Sequence, residues 1–226
     1  MPVAEAPDRA CAFFDVDDTL ITGFAMASMF TWLTEQDLDR DLSAKVEHFQ
    51  DRVHEFPDRA TLLAGFFALL QHQSYSRLLL LGERWFADIG HDLMKPEVVA
   101  RTAHHRQRGD HVVLVSGSWL PCLLPLGREV GATAILGCEL EVDDRELLTG
   151  VATRIMIGDT KAAAISSFTR ERRIDLGRCF AYGADPSDIP MLQTVGHPIV
   201  VGDHPELNEI GAEAGWETLH TSVSTP

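Results

Sequence analysis

The 226-residue chain has few cysteines. The four present, Cys11, Cys122, Cys138 and Cys179, are widely spaced, and no Cys-x-x-Cys pair occurs. That spacing excludes a zinc ribbon and a disulfide-dense secreted scaffold. Each lies in apolar surroundings, so all four are expected to be buried, reduced thiols. Long apolar runs are also missing. Stretches such as Leu78–Leu81 fall far short of the ~20 residues that cross a bilayer. The start, Met1 to Arg9, lacks a basic region followed by an apolar stretch. No export signal is expected, and a cytoplasmic location is. Positive charge is scarce: 19 basic residues face 34 acidic ones, for a net charge of −15. Such a chain repels nucleic acid and anionic membrane, so neither is expected as a partner. Internal repeats and low-complexity tracts are absent.

What remains is ordinary globular composition, 45% hydrophobic and 23% charged. The length suits one domain, or one domain with a large insertion. Short apolar runs ending in polar residues read as buried strands of a parallel sheet. They are Cys11–Asp15, His111–Val115, Arg178–Tyr182, Pro198–Val201 and Ala134–Leu136, the last continuing toward Glu141. Helical stretches separate them. One begins at Lys95-Pro96 and is closed by Gly109. Asp159 is expected to cap a helix through Lys161 to about Arg172, and Ser187 to cap another ended by Gly196. Pro205 opens a last helix that Gly215 ends. Alternation of strands and helices predicts an α/β fold with a parallel sheet and helices on both faces. Ligands of such sheets bind beyond the carboxyl ends of the strands.

Between about Phe24 and Met94 the strand signal vanishes. Phe24–Leu33, Leu42–Phe56, Ala60–Gln71 and Ser76–Gly90 carry apolar residues at helical spacing. This reads as a helical insertion after the first strand. Glu139–Val142 and Leu147–Ala152 read as a hairpin turning at Asp143–Arg145. Thr221–Pro226 is expected to be a frayed tail.

The strongest chemical signal is Asp15-Val16-Asp17-Asp18-Thr19-Leu20, directly after the first strand. Two carboxylates two residues apart can serve one centre, one as nucleophile and one moving protons. Packed closely they need a cation, and hard oxygens suit Mg²⁺. This segment resembles the first motif of the haloacid dehalogenase-like superfamily. Val115-Ser116-Gly117-Ser118 is similar to its second motif, and Gly158-Asp159-Thr160-Lys161 to its third. Tyr182-Gly183-Ala184-Asp185-Pro186-Ser187-Asp188 matches the fourth in part. The insertion and the hairpin resemble the phosphoserine-phosphatase-like branch. The resemblance implies a Rossmann-like three-layer core (residues 1–23 and 95–226) and an all-helical cap (24–94). It also implies Mg²⁺-dependent hydrolysis of a small phosphorylated metabolite through an aspartyl-phosphate. Asp15 would attack phosphorus. Asp17 would protonate the leaving alcohol and then activate water. Ser116, the Gly117 amide and Lys161 would hold the phosphoryl group. Asp15, Asp17, Asp185 and Asp188 would supply the metal site.

Two positions depart from the family pattern. Ala184 stands where the family carries a metal-binding acid, and a methyl group cannot ligate a cation. Either Asp185 or Asp188 takes over, or the pattern is shifted locally, or metal binding and catalysis are impaired. A phosphate-ester-binding relative and a phosphotransferase therefore stand as alternatives. Phe24 stands where phosphoserine phosphatases carry a Glu that meets the substrate amine, and it hints at a less polar or larger leaving group. His72, His91 and the His104-His105 pair lack metal-ligand spacing and are expected at the surface. Trp32, Phe66, Phe67, Trp85 and Phe86 are expected to form the core of the insertion rather than line a pocket.

Overall fold

Strand β1 (Cys11–Phe14) is buried along its whole length and lies at the centre of the sheet. The computed structural model describes residues 9–222. β2 (His111–Trp119) and β5 (Phe180–Gly183) flank β1, both parallel to it. Both edges of β1 are therefore paired; its side chains are buried on both faces of the sheet as well, and for that reason its sequence is a continuous apolar run rather than an alternating one. The remaining strands are β3 (Ala134–Val142), β4 (Leu148–Arg154), β6 (His197–Val201) and β7 (Glu217–Leu219). The order across the seven-stranded sheet is β4-β3-β2-β1-β5-β6-β7, and only β4 runs antiparallel, as the return of the β3–β4 hairpin. From β1 the chain proceeds to β2 on one side and later to β5 on the other. That reversal opens a crevice beyond the carboxyl end of β1, where ligands of such sheets sit.

Helices α5 (Pro96–Arg108), α6 (Leu120–Glu129), α7 (Asp159–Arg172), α8 (Ile189–Thr194) and α9 (Pro205–Ala214) connect the strands. α5 and α9 start on proline and stop at Gly109 and Gly215, both left-handed. Proline lacks only an N–H the first turn leaves unpaired, and glycine enters the left-handed cap without a Cβ clash.

The four helices α1 (Ala25–Glu35), α2 (Arg40–Gln50), α3 (Arg59–Ala68) and α4 (Tyr75–Asp88) all fall between β1 and β2. Asp39, Asp58 and Ser74 cap α2, α3 and α4 by accepting the amides of Leu42, Thr61 and Arg77. Trp32, Phe67 and Trp85 are buried, and Phe86 is half-buried. α4 crosses α6 so closely that a Cβ on Gly82 would overlap the Pro121 carbonyl oxygen. Gly82→Ala is expected to force the two helices apart and cost about 1–3 kcal/mol, as overpacking does. A thermal melt coincident with that of the wild type would disprove this close approach.

Several local expectations need correction. β2 does not stop at Val115 but continues to Trp119, so Ser116, Gly117 and Ser118 lie inside the strand. The N-cap of α6 is Trp119, without a side-chain bond. Asp159 is the first residue of α7 rather than its cap, which is Gly158 at φ +56°. The turn before α8 is capped by Asp185, not Ser187. β7 had no counterpart in the sequence reading. His72, His91 and His104 are exposed, but His105 is 1% exposed. Its Nδ1 lies 2.8 Å from the Asp110 carboxylate and its Nε2 2.9 Å from the Tyr182 hydroxyl. Buried imidazole is tolerated because both ring nitrogens are partnered. The Ser222 amide donates to Glu97; the rest of the expected tail, 223–226, lies outside the described residues, as does the start, 1–8. Among the described residues no helix is long and apolar enough to cross a membrane. All four cysteines are free and buried.

Candidate active site

Asp15 is the first residue past β1, and its amide donates to the Tyr182 carbonyl of β5 at 3.0 Å. Its carboxylate is held at both oxygens. Lys161 Nζ donates to Oδ1 at 2.6 Å, and the Thr19 hydroxyl to Oδ2 at 2.9 Å. The same Nζ donates to Asp188 Oδ1, also at 2.6 Å. Asp188 is 0% exposed, and its Oδ2 accepts the amides of Ala184 and Asp185 at 3.2 Å each. One buried ammonium thus joins the strand end of β1 to the loop after β5.

The loop after Asp15 folds back on itself. Val16 O accepts the amides of Thr19, Leu20 and Ile21. Asp18 adopts φ +56°, a left-handed conformation that aspartate tolerates better than most residues. Asp18 Oδ1 accepts the Gly23 amide, and its carbonyl accepts Lys95 Nζ at 2.5 Å. This turn brings Asp17 Oδ1 to the amide of Ala25, 2.8 Å away, at the N-terminus of α1.

The electrostatics follow from a count of charges. Asp15, Asp17 and Asp188 are buried around one buried cation, Lys161. Burial disfavours the ammonium, but Asp15 and Asp188 overcome that and hold Lys161 well above its ordinary range. Burial and then the Asp15 charge push the Asp17 carboxyl up to about 7, against the opposing pull of the Ala25 amide. Burial and the Asp15 charge also raise Asp188. Asp17 can therefore give up or take a proton near neutral pH, as a general acid–base must.

Ser116 and Gly117 lie on β2, whose register pairs Leu114 with Phe14, next to Asp15. Ser116 is fully buried, and its hydroxyl oxygen accepts the Ser118 amide at 3.0 Å. Asp185 stands apart from the ammonium. Its Oδ1 accepts the Ser187 amide at 2.9 Å and lies 3.2 Å from Arg59 of α3. Arg59 also stacks over Phe24, 5.3 Å from the ring centroid. Thr19 and Arg59 were given no role by sequence. Thr19 was visible in the first motif, whereas Arg59 had no signal beyond following the Pro57-Asp58 helix start.

The residues present offer a Mg²⁺ ion an incomplete site. Such an ion wants several hard oxygens converging at octahedral positions. Ala184 offers none. The carboxylates of Asp15 and Asp188 are engaged by Lys161, that of Asp17 by α1, and that of Asp185 by its own turn and Arg59. Among the described residues no three His, Cys, Asp or Glu side chains are grouped to hold a metal.

Asp17 and Gly117 border a cavity of about 500 Å³ between the inserted helices and the sheet. Its other walls include Phe24, Met26, Phe30, Val46, Phe49, Leu62, Leu63 and Phe66, with Gln50 and Arg59 as polar members. Phe66 thus lines a pocket as well as packing in the insertion.

Comparison with known proteins agrees with this arrangement. The chain is 33% identical over 137 residues to the inhibition of morphological differentiation protein of Streptomyces azureus, covering 59% of this chain but only 50% of that protein. It is 28% identical over 214 residues to a phosphoserine phosphatase of Mycobacterium tuberculosis, covering 92% of this chain and 70% of that one. Among solved structures, a Bordetella pertussis protein of unknown function superposes with a TM-score of 0.80 at 21% identity, over 93% of this chain and 98% of that chain. A substrate-bound phosphoserine phosphatase superposes with a TM-score of 0.64 at 17% identity, over 90% and 91%. At those identities the structures establish the fold alone. The model of the haloacid dehalogenase-like hydrolases matches residues 12–193, a span that takes in nearly all of β1, the whole insertion and Asp15, Asp17, Ser116, Lys161, Asp185 and Asp188, and the chain belongs to that family.

Proposed function

We propose that the chain hydrolyses phosphate monoesters, taking a small phosphorylated metabolite as substrate. The observation that carries this reading is the buried Asp15–Lys161–Asp188 cluster, with the protonatable Asp17 beside it. An Asp15 oxygen attacks phosphorus as the bond to the alcohol oxygen breaks, and the Asp17 proton passes to that oxygen. Water then attacks the aspartyl-phosphate, its proton returns to Asp17, and inorganic phosphate leaves with Asp15 restored. Ser116 and the Gly117 amide, on the neighbouring strand β2, steady the phosphoryl oxygens. Lys161 offsets charge on Asp15 and on the incoming anion. Phosphoryl transfer asks chiefly for such positioning and charge compensation. The phosphatase name of the mycobacterial relative supports the reading.

The resemblance implies dependence on Mg²⁺, and we propose it in weakened form, because Ala184 removes a donor. Phosphate release from an aryl phosphate tests both points. Ala184→Asp is expected to lower the Mg²⁺ concentration giving half-maximal rate by tenfold or more, on the order of 1.4 kcal/mol. An unchanged Mg²⁺ response would show that Ala184 does not limit the metal. A wild-type rate equal to that of Asp15→Asn would replace hydrolysis with the second reading, a phosphate-ester-binding relative, which Ala184 also favours.

A further inference from the structure

We propose that the substrate's alcohol is a hydrocarbon, so that the chain acts on lipophilic phosphate monoesters. This rests on the phosphatase reading above and adds the substrate class. The cavity of about 500 Å³ touches the reacting end of the site only at Asp17 and Gly117. A volume of that size takes a drug-sized organic group. An ester whose phosphoryl group lies between Asp15 and Gly117 has this space beside the proton-donating Asp17 to receive its alcohol, whereas the more polar cavity lined by Asp18, Lys95 and Ala184 reaches neither Asp17 nor Gly117.

The walls decide what the alcohol is. Phe30, Phe66, Met26 and Val46 are apolar and nearly inaccessible to solvent. A sugar or amino-acid alcohol would bring hydroxyl or ammonium groups there, with few partners to replace lost water. The two polar members do not change this. Arg59 is engaged by Asp185 at 3.2 Å and lies over the Phe24 ring. Gln50 is neutral and offers no countercharge for an amine. Phe24, 49% exposed at the end of the first-motif loop, adds a further apolar face. Hydrocarbon satisfies these walls and leaves no buried group unpaired.

The test is a chain-length series. Rates of phosphate release are measured for n-alkyl phosphates from ethyl to octyl below their micelle concentrations, beside phenyl phosphate and phosphoserine. Binding of the matching alkylphosphonates to Asp15→Asn is measured by calorimetry. kcat/KM is expected to rise about three- to fourfold per methylene until the cavity fills. Phosphoserine is expected to fall below ethyl phosphate. Leu63→Gln, which places an amide in the cavity wall, is expected to flatten the slope while the thermal melt stays cooperative. Turnover with no dependence on chain length overturns the substrate class and leaves the phosphatase reading intact. No turnover on any ester, with phosphonate affinity still rising with chain length, overturns the phosphatase reading and keeps the lipophilic ligand. Neither turnover nor binding overturns both.

Discussion

Asp15→Asn is expected to lower phosphate release by roughly 10⁴-fold or more, the scale seen when an enzyme loses its nucleophile. The substitution is nearly isosteric: the amide oxygen can face Lys161 Nζ, while the Thr19 hydroxyl, which donates to the second carboxylate oxygen in the wild type, turns to accept from the new NH2 group. What is lost is the negative charge and with it the capacity to attack phosphorus. The loss spreads to the neighbour. Part of the upward push on Asp17 comes from the Asp15 charge, so Asp17 in the variant gives up its proton at lower pH. Binding of a phosphonate is expected to survive or tighten, because one carboxylate no longer repels the anion. Residual turnover within tenfold of the wild type would remove Asp15 from the chemistry.

Lys161→Met is expected to cost about 3–5 kcal/mol of stability, the usual result of stripping the partner from buried charges. Lys161 and Asp188 are essentially inaccessible, and Lys161 meets both Asp15 and Asp188 at 2.6 Å. Methionine keeps the packing and removes the ammonium that these two carboxylates share. For a domain of this size the melting temperature should fall by about 6–20 °C. The pH dependence has a definite sign. Asp17 and Asp188 are raised in the folded chain above their unfolded values. Between those limits the folded state binds more protons, so stability is greatest at low pH and is lost as pH rises toward about 7. Melts of the variant should therefore improve on acidification from pH 8 to 5.5. Adding Asp188→Asn should recover part of the loss, since the two sites are in contact. A variant as stable as the wild type at pH 8 would mean that the three acids are not held charged together.

The sheet was legible because parallel strands buried on both faces are written in unbroken apolar letters, as in Cys11–Phe14. The helix limits at Pro96, Gly109, Pro205 and Gly215 were legible because those residues act through local backbone geometry alone. β7 was not legible: three residues at a sheet edge, none fully buried, leave no periodicity to read. The end of β2 was missed because Ser116 and Ser118 interrupt the apolar run, although both are wholly buried. His105 reads as a surface residue until Tyr182, far along the chain, is known to meet it. Arg59 has the same difficulty, since its pairing with Asp185 exists only in three dimensions. Lys161 was found by its place in a motif; no local physical signal marks it as buried.

The bond from the Ala25 amide ties the acid at Asp17 to the first inserted helix. Ala25 begins the first inserted helix, while Asp17 lies in the turn that follows the central strand, so the proton affinity of the acid depends on where that helix stands. The amide draws the Asp17 carboxyl downward. Any outward displacement of α1 strips away this donor and strengthens the acid's grip on its proton; its return loosens that grip. Because α1 also walls the cavity through Met26 and Phe30, whatever fills that cavity and presses on the helix also acts on the acid's readiness to release a proton.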